Sequence, residues 1–324
     1  GLAAAEMLRH RGYQVHIYDR YDRIGGLLMY GIPGFKLEKS IVERRGQLLI
    51  DGGVNFHLGV DIGGETSFAD VRAKHDAILV ATGVYKARDI AAPGSGLDGI
   101  VPALEYLTVS NGKSPGDDVA AFDSGALNAD GKDVVVSGGG DTAMDCVRTA
   151  MRQKAKSVSC LYRRDRANMP GSQREVQNAE EEGVIFKWLS APQAFLGDDK
   201  VRAVQAQRIH LGQPDATGRQ VPEVIDGSAH ELPADMVIKA LGFDPEDLPT
   251  MFGQDGLEVT RWGTLKIDWR TMMTNLDGVF AAGDIVRGAS LVVWGVRDGR
   301  DAAEAIDQWI MAAADAPRAA GAGR

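Results

Sequence analysis

The chain has 324 residues, of which 44% are hydrophobic and 25% are charged, so its composition is that of an ordinary folded protein of about two domains. Its net charge is −9, from 36 basic and 45 acidic residues, and this acidic balance argues against a nucleic-acid-binding protein. No apolar run approaches the roughly 18 residues that a membrane-spanning helix needs, and no signal peptide is visible. We therefore expect a cytoplasmic protein with no membrane partner.

The two cysteines limit the chemistry that the chain can carry. Cys146 and Cys160 form no C-x-x-C pair, and their number and spacing fit reduced, buried thiols in a reducing compartment. Two cysteines are too few for an iron–sulfur cluster and give no basis for a metal site. We expect the chain to hold no iron–sulfur ligands of its own.

The start of the chain has the pattern of the second half of a dinucleotide-binding βαβ unit. A predicted helix at 2–11 is followed by a strand at 15–18 and then by Asp19, with Gly1 at the place of the last glycine of a G-x-G-x-x-G turn. An acid at the end of this strand is the usual partner of an adenosine ribose without a 2′-phosphate. The first strand and the first two glycines of the motif are absent, so we expect the chain to be a fragment.

A second candidate contact follows the next buried strand. A predicted helix at 38–51 precedes a continuous apolar run at 77–80, which is typical of a buried parallel strand. The run ends in small residues, and a ligand can approach the carboxyl end of such a strand. Thr82 and Gly83 are therefore candidate cofactor contacts. Residues 111–132 are rich in Gly, Asp and Ser, which predicts a loop or linker.

A complete nucleotide-binding unit begins at the predicted strand 133–137. The turn that follows, 138–143, matches G-x-G-x-x-A and precedes a predicted helix at 142–152. Its glycines permit a tight turn that brings a pyrophosphate to the helix N-terminus, where free N–H groups favour anions. The candidate contacts are Gly138, Gly140, Asp141 and Thr142; a plain glycine turn is the alternative.

The end of the next predicted strand, 158–162, indicates which nucleotide binds. Arg163 and Arg164 stand where NAD sites carry an acid, and two guanidinium groups suit a 2′-phosphate. The pattern favours NADP. A solvated charged loop is the alternative, because Asp165 and Arg166 follow.

The remainder of the chain contains a third group of elements. Alternating segments between about 191 and 240 predict antiparallel strands, the last at 236–240. A strand at 278–281, a turn and a long helix at 291–311 follow, and the last dozen residues are predicted to be disordered.

Four sequence motifs give the chain a strong resemblance to a known family. It resembles the small (β) subunit of NADPH-dependent glutamate synthase, within the adrenodoxin-reductase-like flavoproteins, from Gly1 to about Gln308. The motifs that carry the resemblance are 24–37, 138–146, 162–164 with 169–171, and 283–288.

The resemblance implies an α/β fold with two Rossmann-like dinucleotide-binding domains, in which an NADPH domain is inserted in a discontinuous FAD domain. The first FAD segment would be 1–130, the NADPH domain 131–243 and the second FAD segment 244–324. FAD would be held by Gly1, Asp19, Gly26, Leu27, Thr82, Gly83, Gly283, Asp284, Leu291, Val292 and Val293. On the NADPH side, Glu175 joins Arg163 and Arg164 by resemblance alone.

The resemblance also implies the reaction and the partner. A hydride would pass from NADPH to FAD, and electrons would leave through iron–sulfur clusters to a large (α) subunit that makes L-glutamate from glutamine and 2-oxoglutarate. In the family those clusters lie in an N-terminal domain that this chain lacks. We assign no nucleophile or general base, because hydride transfer depends on positioning.

Two other functions stay open at this point. One is a related FAD/NADPH reductase module, similar to ferredoxin:NADP reductase or to dihydropyrimidine dehydrogenase. The other is a non-catalytic nucleotide-binding fragment. The missing C-x-x-C argues against a disulfide reductase similar to thioredoxin reductase.

Overall fold

The computed structural model describes residues 1–114, 116–214 and 220–315. Its helices are α1 (Leu2–His10), α2 (Leu27–Tyr30), α3 (Lys39–Asp51), α4 (Phe68–Lys74), α5 (Ala103–Lys113), α6 (Ala120–Asp123), α7 (Asp141–Arg152), α8 (Gln173–Glu181), α9 (Leu248–Met251), α10 (Asp284–Arg287) and α11 (Val292–Asp315). Its strands are β1 (His16–Asp19), β2 (Asn55–Leu58), β3 (Ile78–Val80), β4 (Lys86–Ala87), β5 (Ile100–Pro102), β6 (Asp133–Ser137), β7 (Ser157–Leu161), β8 (Ile185–Lys187), β9 (Ser190–Gly197), β10 (Val201–Pro214), β11 (Gln220–Val224), β12 (His230–Pro233), β13 (Met236–Lys239), β14 (Phe243–Asp244) and β15 (Val279–Ala281).

The described chain divides into two compact units. Unit 1 contains 1–25, 40–86 and the described residues from 243 onward, and unit 2 contains 26–39 and 87–242. Unit 2 thus takes in 26–39 and 87–130, which the sequence analysis assigns to the first FAD segment. The predicted domains are defined by the cofactor that each would bind, whereas the two units are defined by internal contacts. The predicted domain boundaries therefore stay a prediction.

Unit 2 is built around a five-stranded parallel sheet in the order β5-β13-β6-β7-β8. The three valines of β6 are at most 1% exposed, because both faces of the sheet are covered. Val134 and Val136 belong to a core that includes residues of α5, α7 and α8. Val135 belongs to a second core with residues of β9 and β10, on the antiparallel sheet.

The predicted antiparallel strands are confirmed, with one correction. β10 pairs antiparallel with β9, β11 and β12. The strand predicted at 236–240 is instead β13, which lies parallel between β5 and β6. All four of its residues are buried, and a strand buried on both faces belongs in a covered parallel sheet.

The prediction of a loop over 111–132 is partly wrong. Helix α5 continues through Asn111 to Lys113, and Ala120–Asp123 forms one turn of helix. The side chain of Asn111 is buried, and its Nδ2 donates to the carbonyl of Tyr30 at 2.9 Å. A tertiary hydrogen bond therefore holds a polar residue in the helix against its local preference.

Unit 1 contains two parallel strand pairs, β1 with β2 and β3 with β15. Helices α1 and α11 pack closely where small residues meet: a Cβ built on Gly299 would lie 3.3 Å from the backbone nitrogen of Ala4. Arg11 and Tyr13 both reach Asp307 on α11, at 2.8 and 2.7 Å. These contacts fix α11 against the start of the chain.

Cys146 on α7 and Cys160 on β7 are free thiols, and both are fully buried. Burial raises the pKa of Cys160 to about 12 and that of Cys146 well above its usual value. Within the described ranges, no group of His, Cys, Asp and Glu is arranged to hold a metal ion. No described helix is both long and apolar enough to cross a membrane. The predicted disordered tail falls mainly on positions beyond 315, outside the described residues.

Candidate nucleotide-binding sites

In unit 2 the glycine turn after β6 is shaped by close packing at two positions. A Cβ on Gly138 would lie 2.1 Å from the carbonyl oxygen of Ala240, and one on Gly139 would lie 2.3 Å from the ring of Tyr162. Neither contact is possible for a larger residue. At Gly140, in contrast, a Cβ would meet nothing within 4 Å. The turn is closed on its protein side and open at its third glycine.

The open glycine precedes the N-terminus of a twelve-residue helix. Gly140 is the N-cap of α7 and supplies no side-chain cap, so the first N–H groups of the helix lack the usual side-chain acceptor. Thr142 is half-buried in the first turn. Open space and free donors at a helix N-terminus fit a phosphate group, as predicted for this turn.

The two arginines that follow β7 have different surroundings. Arg163 is exposed, whereas Arg164 is half-buried. The Nε of Arg164 is buried and has no hydrogen-bond partner among the described residues. Buried donors without partners are uncommon, and an anionic oxygen is the natural acceptor for a guanidinium N–H. This donor fits the 2′-phosphate predicted from the sequence.

The loop 163–172 is tied to the glycine turn. The backbone N–H of Gly171 donates to the carbonyl of Gly139, and that of Ser172 donates to Oδ1 of Asp141, both at 3.0 Å. Asp141, predicted as a cofactor contact, thus uses one carboxylate oxygen to cap the start of α8. This role was not predicted, because the only signal for it in the sequence is Ser172, the residue that precedes α8.

Glu175 lies in an ion-pair network. Its Oε2 accepts from Nη1 of Arg148 at 2.7 Å and lies 3.3 Å from Nζ of Lys36. Burial alone would raise the pKa of the Glu175 carboxyl, but Arg148 and Lys36 together hold it below its usual value. Glu175 is therefore a paired carboxylate, and its contact with NADPH stays a prediction that rests on the resemblance.

The same network contains a pair that the sequence did not indicate. Nζ of Lys36 donates to Oδ1 of Asp145 at 2.8 Å, and the Asp145 side chain is only 12% exposed. Burial raises the pKa of Asp145 to about 6, although Lys36 opposes the shift. Lys36 lies in the segment that follows α2, and Asp145 lies on α7, the helix after the glycine turn. Their ion pair thereby holds that segment against α7.

In unit 1 the carboxyl ends of β3 and β15 lie side by side. The backbone N–H of Ala282 donates to the carbonyl of Val80 at 3.1 Å. This brings Thr82, which is exposed, and Gly83 near the turn at Gly283. Gly283 has φ +78°, and the nearest atom to a Cβ built there is Cα of Gly295, at 4.0 Å. The space beside this turn is open, and a ligand could approach its backbone closely.

Two carboxylates of unit 1 are partly desolvated. Burial raises the pKa of Asp284, whose Oδ1 accepts from the hydroxyl of Ser290 at 3.1 Å. Burial also raises the pKa of Asp19, whose Oδ1 accepts from the N–H of Tyr21 at 3.0 Å. A desolvated carboxylate gains from further donors, which sugar hydroxyl groups would provide.

Two contacts join the start of the chain and the residue after β1 to the segment that follows β3. The guanidinium of Arg20 lies 4.9 Å from the ring centroid of Tyr85. Gly1, the N-cap of α1, lies beside the end of β3, where a Cβ would be 3.6 Å from Cβ of Ala81. That Gly1, Asp19, Thr82 and Asp284 form one FAD site stays a prediction.

Leu291 and the first two residues of α11 present an apolar surface. Leu291, Val292 and Val293 are 60%, 52% and 61% exposed. Contiguous apolar side chains on a protein surface indicate a contact, and a flat ring system would cover them. This fits the flavin contact predicted for these residues.

Gly26 and Leu27 belong to unit 2 rather than unit 1. Gly26 has φ +54° and is the N-cap of α2, which begins at Leu27. Their contact with FAD stays a prediction.

Comparison with known proteins identifies the family. The pyridine nucleotide-disulphide oxidoreductase family matches residues 1–316. The chain belongs to this family. The prediction of an α/β oxidoreductase of the FAD/NADPH class is thereby confirmed.

Members of the family that are similar to the chain include small chains of glutamate synthase. The chain is 68% identical to the glutamate synthase [NADPH] small chain of Azospirillum brasilense over 322 residues, which are 99% of this chain and 67% of that protein. It is 64% identical to the putative glutamate synthase [NADPH] small chain of Cereibacter sphaeroides, over 94% of this chain and 73% of that one. The chain thus spans about two thirds of the first relative.

A solved structure shares the fold of the chain. FprA of Mycobacterium tuberculosis, in a complex with NADPH, superposes with a TM-score of 0.80 over 97% of this chain and 83% of that one. The sequence identity is 18%, so the likeness concerns the fold. It supports the predicted class of two dinucleotide-binding domains.

Proposed function

We propose that the chain is the electron-input part of an NADPH-dependent glutamate synthase small subunit. It oxidises NADPH and passes the electrons to FAD. The observation that carries the proposal is the 68% identity, over 99% of the chain, with a glutamate synthase [NADPH] small chain. The two glycine-lined sites, one in each compact unit, support it independently.

On the NADPH side the chain's residues bind and orient. The open space at Gly140 and the N-terminus of α7 receive the pyrophosphate, and Arg163 and Arg164 hold the 2′-phosphate. Asp141 holds the arginine-bearing loop against the glycine turn through Ser172. Hydride transfer needs the nicotinamide to be positioned, which these contacts do without any acid or base.

On the FAD side the chain provides hydroxyl acceptors and an apolar support. Asp19 accepts from the adenosine ribose, Asp284 contacts the ribityl–pyrophosphate part, and Leu291, Val292 and Val293 contact the ring system. Bound FAD would supply the hydride acceptor and the means to release electrons one at a time. The N-terminus of α11 is the positive end of the helix dipole, and it would stabilise negative charge on the flavin ring.

The electrons would leave through iron–sulfur clusters held by residues outside this chain, since its two cysteines are buried and a cluster takes about four. The acceptor would be a large subunit that makes L-glutamate from glutamine and 2-oxoglutarate, in the cytoplasm. A related reductase module would share both sites and differ only in this acceptor.

The test is an absorbance spectrum of the purified chain, repeated after anaerobic addition of NADPH. We expect a flavin band that bleaches with NADPH and persists with NADH at the same concentration. A colourless protein that binds NADPH would support a nucleotide-binding fragment instead. Bleaching by both nucleotides alike would contradict the NADPH preference.

A further inference from the structure

A buried carboxylate on α11 is held by the last residue of α10. Asp298 is 1% exposed, and Arg287 donates to both of its oxygens, from Nε to Oδ2 at 2.5 Å and from Nη2 to Oδ1 at 2.7 Å. A two-pronged pair of this kind fixes direction as well as distance.

The guanidinium of Arg287 is also bounded by two indole rings. It lies 4.9 Å from the ring centroid of Trp269 and 5.2 Å from that of Trp294. Trp294 is in the first turn of α11, so the cation meets the helix through both a ring and a carboxylate. These contacts leave the Arg287 side chain 30% exposed.

The pair closes the segment that carries two predicted flavin contacts. Asp284 begins α10, the stretch 291–293 spans the start of α11, and Gly288, with φ +79°, lies in the connection. Ser290 adds a second tie by its hydrogen bond to Asp284. The relative placement of the carboxylate and the apolar stretch is thus set by two polar links.

We propose that Arg287 and Asp298 are positioning residues of the flavin site, which hold Asp284 and the stretch 291–293 in the arrangement that binds FAD. The inference rests on the proposed function. A buried ion pair adds little net stability compared with apolar packing, whereas it specifies one geometry. The Arg287–Asp298 pair therefore acts mainly by placing Asp284 and the stretch 291–293 relative to each other.

The experiment is a titration of the purified chain with FAD, followed by flavin fluorescence and by visible circular dichroism of the bound flavin. Asp298→Asn removes the charge, and Arg287→Lys keeps a cation but loses the two-pronged geometry. Asp301→Asn is the matched control on α11, because Asp301 pairs with Arg297 at 3.6 Å in an exposed setting. Thermal unfolding followed by far-ultraviolet circular dichroism reports whether each variant folds, since all three residues lie in unit 1.

We expect the FAD dissociation constant to rise about tenfold or more for Asp298→Asn, less for Arg287→Lys, and within about twofold of the parent for Asp301→Asn. The dichroism of the bound flavin should change only in the first two variants. If Asp298→Asn fails to fold by this measure, Arg287→Lys decides.

Two failures are distinguishable. If the parent chain binds FAD and Arg287→Lys and Asp298→Asn bind it with unchanged affinity and dichroism, the positioning role is overturned while the proposed function stands. If the parent chain itself binds no FAD, the proposed function is wrong and the inference falls with it.

Discussion

Arg163 and Arg164 are neighbours in sequence that differ in exposure. Arg163 is exposed, whereas the half-buried Arg164 presents an Nε donor that no described residue accepts from. Motif spacing could predict the pair, because arginines that follow the second strand of a dinucleotide fold meet the 2′-phosphate. It could not predict which of them is buried, because that depends on the packing around the loop.

Replacing both arginines with alanine should weaken NADPH binding about tenfold or more and leave NADH binding unchanged, since charged hydrogen bonds contribute about 1.5–3 kcal/mol each. Isothermal titration with each nucleotide measures this. Arg202→Ala is the control, because Arg202 is a 67% exposed arginine of the same unit. Equal losses for NADPH and NADH would refute the assignment.

Gly138 and Gly140 stand two positions apart, yet alanine should have opposite effects at them. Gly138→Ala places a methyl group 2.1 Å from a backbone oxygen that cannot move away, so we expect a loss of about 2 kcal/mol or more in the free energy of unfolding. Gly140→Ala meets no atom within 4 Å, so the fold should persist while the methyl group blocks the phosphate. Chemical denaturation and NADPH titration of both variants check this, and a Gly140→Ala protein with full affinity would exclude the turn as the phosphate site.

At the level of elements, the link between the segment after α2 and helix α7 should depend on pH. Asp145 has a pKa of about 6 in the fold, above its value of 3.8 in the unfolded chain. The folded state therefore binds the proton more tightly, and this group adds stability as the pH falls through 6 toward 3.8. Above 6 the carboxylate is charged and its burial costs stability.

Relative to Asp145→Asn, the parent should gain on the order of 1 kcal/mol in the free energy of unfolding between pH 7.5 and pH 5.5. Urea denaturation at the two pH values measures the difference. Asp133→Asn is the control, because Lys156 holds the pKa of Asp133 below its usual value, so this carboxyl stays ionised at both pH values. A parent–variant difference that is the same at both pH values would show that Asp145 titrates normally.

Elements with strong local signals were predicted well and those decided by tertiary contacts were not. The valines of β6 gave that strand its bounds, and the glycines gave the turn after it. β13 was placed with the wrong neighbours because a short apolar run looks the same in either kind of sheet. The end of α5 depends on a hydrogen bond from Asn111 to the distant Tyr30. The pairs Lys36–Asp145 and Arg287–Asp298 likewise join residues from different elements, and no local sequence pattern predicts such contacts.

For the whole molecule, the proposed NADPH contacts lie in unit 2 and most of the proposed FAD contacts, Asp284 among them, lie in unit 1, so defects at the two sites should be separable. Asp284→Ala should lower the FAD content of the purified chain and leave NADPH affinity unchanged, because the carboxylate that accepts from the flavin's hydroxyl groups is lost. The flavin-to-protein absorbance ratio and an NADPH titration measure the two effects. Asp277→Ala, an exposed acid shortly before β15, is the control; unchanged FAD content in Asp284→Ala would exclude this residue from the flavin site.

The burial of both thiols has a practical consequence for labelling. Maleimides and iodoacetamides react with accessible thiolates, and Cys146 and Cys160 offer neither access nor a thiolate at neutral pH. The folded chain thus behaves toward these reagents as a protein without cysteine. A single cysteine introduced on the surface of either unit would take a fluorophore or spin label alone, with no need to replace the native pair.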